Sequence, residues 1–151
     1  MFSFFRKRKF FSEAEQALIL NAIREAETRT SGEVRVFIES RCRFMDAIDR
    51  AAVVFFRLEM DETADRNAVL VYVAVKDHQM AVFGDKGIHE RVGADFWNAE
   101  IARMMEIFNK DNIAHGIAAC VEDIGQALHQ HFPYDRDTDK NELPDDIVFG
   151  K

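Results

Sequence analysis

Residues Asp65 to Gly87 read DRNAVLVYVAVKDHQMAVFGDKG. Within them, 68–75 is an almost unbroken apolar run rich in valine, the pattern of a strand buried on both faces. Lys76-Asp77-His78-Gln79 is a tight polar turn, and 80–83 returns as a second strand. Gly84-Asp85-Lys86-Gly87 breaks that strand. A turn this short joins antiparallel neighbours. The stretch is therefore a hairpin with a polar, acidic loop at each outer end.

Working upstream, 33–40 alternates, with Val34, Val36 and Ile38 on one side and Glu33, Arg35, Phe37 and Glu39 on the other. That is a strand with one face only partly buried. Residues 44–60 between the strands carry a helical period, with Ile48, Ala51, Ala52, Phe55 and Leu58 inward. A strand, helix, strand order is a crossover unit, which makes the first two strands parallel with a right-handed connection. Further upstream, Ser12-Glu13-Ala14-Glu15 is a capping box. It opens a helix with Ala14, Leu18, Ile19, Ala22, Ile23 and Ala26 on one face, and Thr30-Ser31-Gly32 ends it. Downstream, Trp97, Ile101, Met104, Met105 and Phe108 mark one helix. Ile113, Ile117, Cys120, Val121, Ile124 and Leu128 mark another, capped by Asp111 or Asn112. The order α-β-α-β-β-α-α predicts an α/β fold: a three-layer α/β/α sandwich around a small mixed β-sheet.

A chain of 151 residues has the length of about one domain. We expect that domain at 12–132, preceded by a basic aromatic segment at 1–11 and followed by an acidic flexible tail at 133–151. A hydrophobic fraction of 48%, with 14 Phe, supplies a core without help from disulfides. The net charge of -7 argues against nucleic acid as a partner, since that needs a basic face. Charge is unevenly spread: Arg6, Lys7, Arg8 and Lys9 stand together among Phe2, Phe4, Phe5, Phe10 and Phe11. Such a segment suits an anionic membrane surface or a partner protein; the alternative is a frayed end whose aromatics pack on the domain. Cys42 and Cys120 lack metal-ligand spacing. Cys120 falls on an apolar helix face and reads as a core residue, and the pair suits a reducing compartment. No apolar run approaches the ~20 residues that span a bilayer. The start has no apolar stretch after its charges, so it does not read as a secretory signal. The expected location is cytoplasmic, at most peripheral to a membrane, with no signal peptide or transmembrane helix.

The topology makes its own statement about the acids. Two parallel strands start at one end of the sheet and the antiparallel third finishes there. Residues 30–33, 61–67 and 84–90 therefore meet, bringing together Glu33, Asp61, Glu62, Asp65, Asp85 and Glu90. Crowded carboxylates must protonate, pair with cations or bind metal, and oxygen donors without Cys or His select hard cations, Ca2+ or Mg2+. The competing reading is a solvated acidic rim. Asp65-Arg66-Asn67 matches only a fragment of an EF-hand loop, and Gly84-Asp85-Lys86-Gly87 is not a phosphate loop. Among the five His there is no HExxH pattern; His89 is the one near the acidic loops.

Ser31-Gly32-Glu33-Val34, Asp65-Arg66-Asn67-Ala68-Val69-Leu70, the Lys76-Asp77 turn, Gly84-Asp85-Lys86-Gly87-Ile88, Phe108 and Gly116 occur in an order and spacing that resembles the TPM-domain family. That group includes the thylakoid lumen acid phosphatase, a photosystem II repair protein and a modulator of acetylcholine receptors. The resemblance runs from about Phe11 to His131. Ala68 departs from it, standing where the family commonly has glycine. The signal peptide and C-terminal membrane helix of many members are not seen, so the chain is most similar to short stand-alone bacterial members. The resemblance implies the α/β/α sandwich, divalent-cation binding at the acidic loops, often of Ca2+, and an acid phosphatase activity.

Two functional readings follow. In the first, a weak metal-assisted phosphomonoester hydrolase holds its cation with Asp61, Asp65 and Asp85, and with Glu62 beside them. The cation neutralises phosphate charge and acidifies a water, Lys86 contacts the phosphate, and Glu33 or His89 handles the proton. No covalent nucleophile motif accompanies them: Ile48 stands where an Arg would complete a Cys-x5-Arg from Cys42, and DxDxT is absent. In the second, the cation only orders the loops, and the domain is a non-catalytic protein-interaction or assembly module.

Overall fold

Ser12 opens the first helix as its sequence predicts. In α1 (Glu13–Glu27) the Ser12 Oγ accepts from the Glu15 amide at 3.1 Å, and the Glu15 carboxylate accepts from the Ser12 amide at 2.9 Å. The computed structural model describes residues 10–108, 112–134 and 147–150. Ile19, Ala22, Ile23 and Ala26 are the buried stripe of α1. Ala14 is exposed, contrary to expectation. It lies five residues before Ile19, which at 3.6 residues per turn places it about 140° round the helix.

Among the described residues four strands follow: β1 (Glu33–Glu39), β2 (Ala68–Ala74), β3 (Gln79–Gly84) and β4 (Ile147–Phe149). They form one mixed sheet in the order β3-β2-β1-β4. β1 and β2 run parallel with Glu33 opposite Ala68 and Glu39 opposite Ala74. β3 returns antiparallel to β2, with Gly84 opposite Val69. β4 pairs parallel to the free side of β1, Ile147 opposite Val36 and Phe149 opposite Ile38. This last strand lies in the stretch expected to be an acidic tail, and the sequence pattern did not assign it. Its presence makes β1 an interior strand. All seven β1 residues are buried, Glu33, Arg35 and Glu39 included, where the alternation predicted a half-solvated face.

α2 (Ala47–Arg57) is shorter than the predicted 44–60. Phe44 and Glu59 both have positive φ, 73° and 59°, and these left-handed residues bound the helix. The inward set is Ala51, Val54 and Phe55, while Ile48 faces solvent. α3 (Lys86–Phe108) begins directly after β3 and breaks once, at Gly93 with φ 79°. α4 (Ile113–His131) has Asn112 at its N-cap position, without a side-chain capping bond; Asp111 lies outside the described residues.

Helices α1, α3 and α4 pack on one face of the sheet. There Val34, Val36, Ile38, Val69, Val71 and Val73 meet Ile23, Trp97, Met104, Ile117, Val121 and Ile124. On the other face α2 covers Leu70, Tyr72, Ala74 and Ala81 with Ala51, Val54 and Phe55. Coverage on both faces explains why β2 is apolar throughout. The three layers are those the sequence predicts.

Candidate acidic loop site at the sheet edge

The three segments that the topology brings together do meet. The Asp85 amide donates to the Ala68 carbonyl at 2.9 Å, the Gly87 amide to the Arg66 carbonyl at 2.8 Å and the Glu33 amide to the Asn67 carbonyl at 3.5 Å. The Asn67 side-chain amide reaches Ser31 Oγ at 3.3 Å. Contact is close enough that a Cβ on Gly87 would sit 2.2 Å from the Asp65 carbonyl oxygen. Only glycine lets α3 start against this loop.

The carboxylates do not all converge. Asp85 is buried, and Arg66 grips it twice, Nε to Oδ2 at 2.6 Å and Nη2 to Oδ1 at 2.8 Å. The Lys86 amide adds a third donor to Oδ1 at 2.8 Å. Arg66 reaches it from a left-handed backbone, φ 52°. The hydrogen bond to Asp85, with further charge from Asp85 and Asp61, raises the Arg66 pKa above its ordinary value. A guanidinium thus already neutralises Asp85. Asp61 is half-buried, whereas Glu62, Asp65 and Glu90 are exposed and Glu33 is buried at the start of β1. Among the described residues, no three His, Cys, Asp or Glu side chains group as they would around a metal ion.

The donor chemistry of the 61–67 loop nonetheless fits a hard cation. Thr63 Oγ1 and Asn67 Oδ1 are buried and have no hydrogen-bond partner among the described residues. Such orphaned oxygens are costly, and both flank the Asp61 and Asp65 carboxylates in sequence. Asp85 fits that donor set only by giving up Arg66. Lys86 is exposed on the first turn of α3. His89, one turn further on, is exposed and accepts at Nδ1 from the buried Trp97 indole at 2.9 Å. That places its own N–H on Nε2.

Two polar clusters elsewhere escaped the sequence reading. At the opposite end of the sheet, Glu39 accepts from Arg50 Nε at 2.9 Å and Nη2 at 3.0 Å, and from the Tyr72 hydroxyl. Burial first, then the bond to Glu39, pushes the Tyr72 hydroxyl pKa far above its ordinary value. Between α3 and α4, buried Glu100 faces Asp123, which pairs with Arg103. Both clusters sit at positions that alternation or helical period alone would give to solvent or core. Cys120 is buried, and its thiol is pushed well above the ordinary range by that burial; it packs as the core residue expected.

The fold and its acid-rich sheet edge define an α/β/α sandwich domain whose loops converge beside a partly buried ion pair. The model of the TPM domain matches residues 5–127, and the chain belongs to that family. Among solved structures, it is similar to the BA42 protein of the psychrophilic bacterium Bizionia argentinensis, at 40% identity and a TM-score of 0.86. That match covers 96% of this chain and 99% of the other. The N-terminal domain of the cg2496 protein of Corynebacterium glutamicum shares the fold, with 13% identity, a TM-score of 0.63, and coverage of 79% of this chain and 74% of that one. No curated protein matches the chain. Among the described residues, no helix is long and apolar enough to cross a membrane.

Proposed function

We propose that this TPM domain binds a divalent cation, Ca2+ or Mg2+, through the 61–67 loop, and that the cation orders the sheet edge for a non-catalytic interaction role. The observation that carries this reading is the pair of orphaned buried oxygens, Thr63 Oγ1 and Asn67 Oδ1, in a loop that also holds Asp61, Glu62 and Asp65. These side chains would hold the ion, with Asp85 joining only on release from Arg66. A bound cation supplies positive charge and a fixed set of oxygen ligands. The two free cysteines suit the reducing cytoplasm as its setting.

Titrating the protein with Ca2+ and then Mg2+, while following amide chemical shifts residue by residue, tests it. Perturbations centred on 61–67 and 84–90 are expected. Asp61→Asn should weaken binding at least ~10-fold, the scale seen when even an outer-shell partner is lost. Shifts that avoid both segments would leave the edge a solvated acidic rim.

The enzyme reading comes second. It is favoured by Lys86, exposed at the start of α3 beside Asp85 with His89 a turn away. In it Lys86 binds the phosphate of a monoester, and Glu33 or His89 moves the proton. A phosphomonoesterase assay with and without each cation separates the two readings. Cation binding without turnover removes the enzyme reading, and turnover untouched by Asp85→Asn or Lys86→Met removes this site from it.

A further inference from the structure

We propose that Arg66 is a tethered competitor of the divalent cation: its guanidinium holds Asp85 in the metal-free protein, lets go in the loaded one, and so sets how tightly the 61–67 loop binds. This inference rests on the cation reading above and adds its regulation. The two halves of the ion pair are unequal. The Asp85 side chain is 3% exposed and that of Arg66 36%. Asp85 is also fixed from a second side. Its Oδ1 accepts from the Lys86 amide at 2.8 Å where α3 begins, and its own amide donates to the Ala68 carbonyl at 2.9 Å. Arg66 is therefore the half that can leave, by rotating its side chain toward water. It does not leave alone, because a buried carboxylate stripped of its counter-charge is strongly destabilised. Arg66 gives up Asp85 only as another positive charge arrives, which couples its release to loading of the loop.

The guanidinium is also an incomplete match for its surroundings. It satisfies both oxygens of Asp85, Nε to Oδ2 at 2.6 Å and Nη2 to Oδ1 at 2.8 Å. Arginine has donors to spare, yet Thr63 Oγ1 and Asn67 Oδ1, three residues before it and one after, are buried without a partner among the described residues. The negative charge of Asp61 acts on the same guanidinium, so two carboxylates share one positive charge. A hard divalent ion suits both deficits, since it carries twice the charge and takes oxygen ligands. The backbone of Arg66 is bent to make the present contact. Its φ of 52° lies in a region sparsely used by residues other than glycine. The Gly87 amide holds it there through the Arg66 carbonyl at 2.8 Å.

A tethered competitor and a merely structural ion pair differ in one consequence. Loading must first free Asp85, so the loop binds more weakly than its oxygens alone would allow. Removing Arg66 should then tighten cation binding, where loss of a structural pair would weaken it or leave it unchanged.

Two measurements test this. In the parent protein the Arg66 Nε–H, assigned by through-bond correlation to its backbone, is followed by NMR during titration with Ca2+ and then Mg2+, beside the amides of 61–67. It is expected to move to the shift and fast solvent exchange of an exposed arginine, at the same midpoint as the loop amides. By calorimetry, Arg66→Gln should bind the ion roughly fivefold tighter or more, the ordinary scale of coupling between two binding events. Without the ion it should melt below the parent, and with the ion it should recover. Loop amides that respond while the Arg66 Nε–H stays fixed overturn the exchange and leave the cation reading standing, as does equal or weaker binding by Arg66→Gln. If Arg66→Gln does not fold, the parent titration decides. Amides that respond to neither ion remove the cation reading and this proposal with it.

Discussion

Glu100 is a carboxyl whose surroundings disfavour its charge. It is buried where α3 meets α4, facing Asp123 with Arg103 beyond. Burial first, then the bond and charge of Asp123, raise its pKa from 4.5 to about 7. The folded protein therefore keeps a proton that the unfolded chain releases near pH 4.5. The stability this proton confers is complete below that pH and is lost as pH rises through about 7. Arg103 at the rim and the water around it screen the charged state, so the loss is on the order of 1 kcal/mol. Glu100→Gln keeps the shape and drops the charge. Its urea midpoint should be nearly level between pH 4.5 and pH 8, while that of the parent falls. Parallel slopes in the two proteins would exclude Glu100 as the source. The sequence places Glu100 on a helix among Trp97, Ile101 and Met104, yet nothing there announces the facing carboxylate, which comes from a residue 23 positions on in another helix.

Elements were legible where their signal is local. The capping box of α1 and the unbroken valine run of β2 depend on residues a few positions apart, and both elements stand as read. For α2 the helical period places Ala51, Phe55 and Leu58 inward, as they are, but it also turns the exposed Ile48 inward and overruns both ends. The left-handed residues Phe44 and Glu59 lie beyond its ends and carry no glycine signal; Glu59 sits in a Schellman turn, its amide bonded to the Phe56 carbonyl and the Met60 amide to the Phe55 carbonyl, each at 3.1 Å. The alternation of Glu33, Arg35 and Glu39 predicts a β1 face only partly buried, but with a strand on each side that face is buried, and Glu39 is paired there. Glu39 has Arg50 and Tyr72. At the start of α3, Gly87 was read as a strand breaker; its physical role is the close approach of the 61–67 loop. Gly87→Ala drives a Cβ into the Asp65 and Arg66 carbonyls. It should cost about 2–3 kcal/mol, the upper range for overpacking, measured by thermal or urea unfolding. A cost below ~0.5 kcal/mol, the ordinary surface range, would mean that the loop moves freely from α3.

At the scale of the molecule, β4 completes the sheet from the far end of the chain. Ile147 is buried against the face that α1, α3 and α4 cover, and its strand occupies the free side of β1. Ile147→Ala should cost about 2–4 kcal/mol, as for other buried aliphatic truncations. Amide exchange at Val36 and Ile38 should speed up with it; unchanged exchange would show β4 to be dispensable to β1. By itself the sequence determined the layer order, the parallel crossover, the hairpin and the meeting of residues 30–33, 61–67 and 84–90 at one sheet edge. Hydrophobic period and connection length carry that much. Only the tertiary structure decided that Asp85 is held by Arg66, that Thr63 Oγ1 and Asn67 Oδ1 are buried without partners among the described residues, and that Phe44 stands in solvent. Those outcomes depend on which side chain reaches a buried charge first and which backbone must bend to close a loop, and both are settled by contacts between residues far apart in the chain.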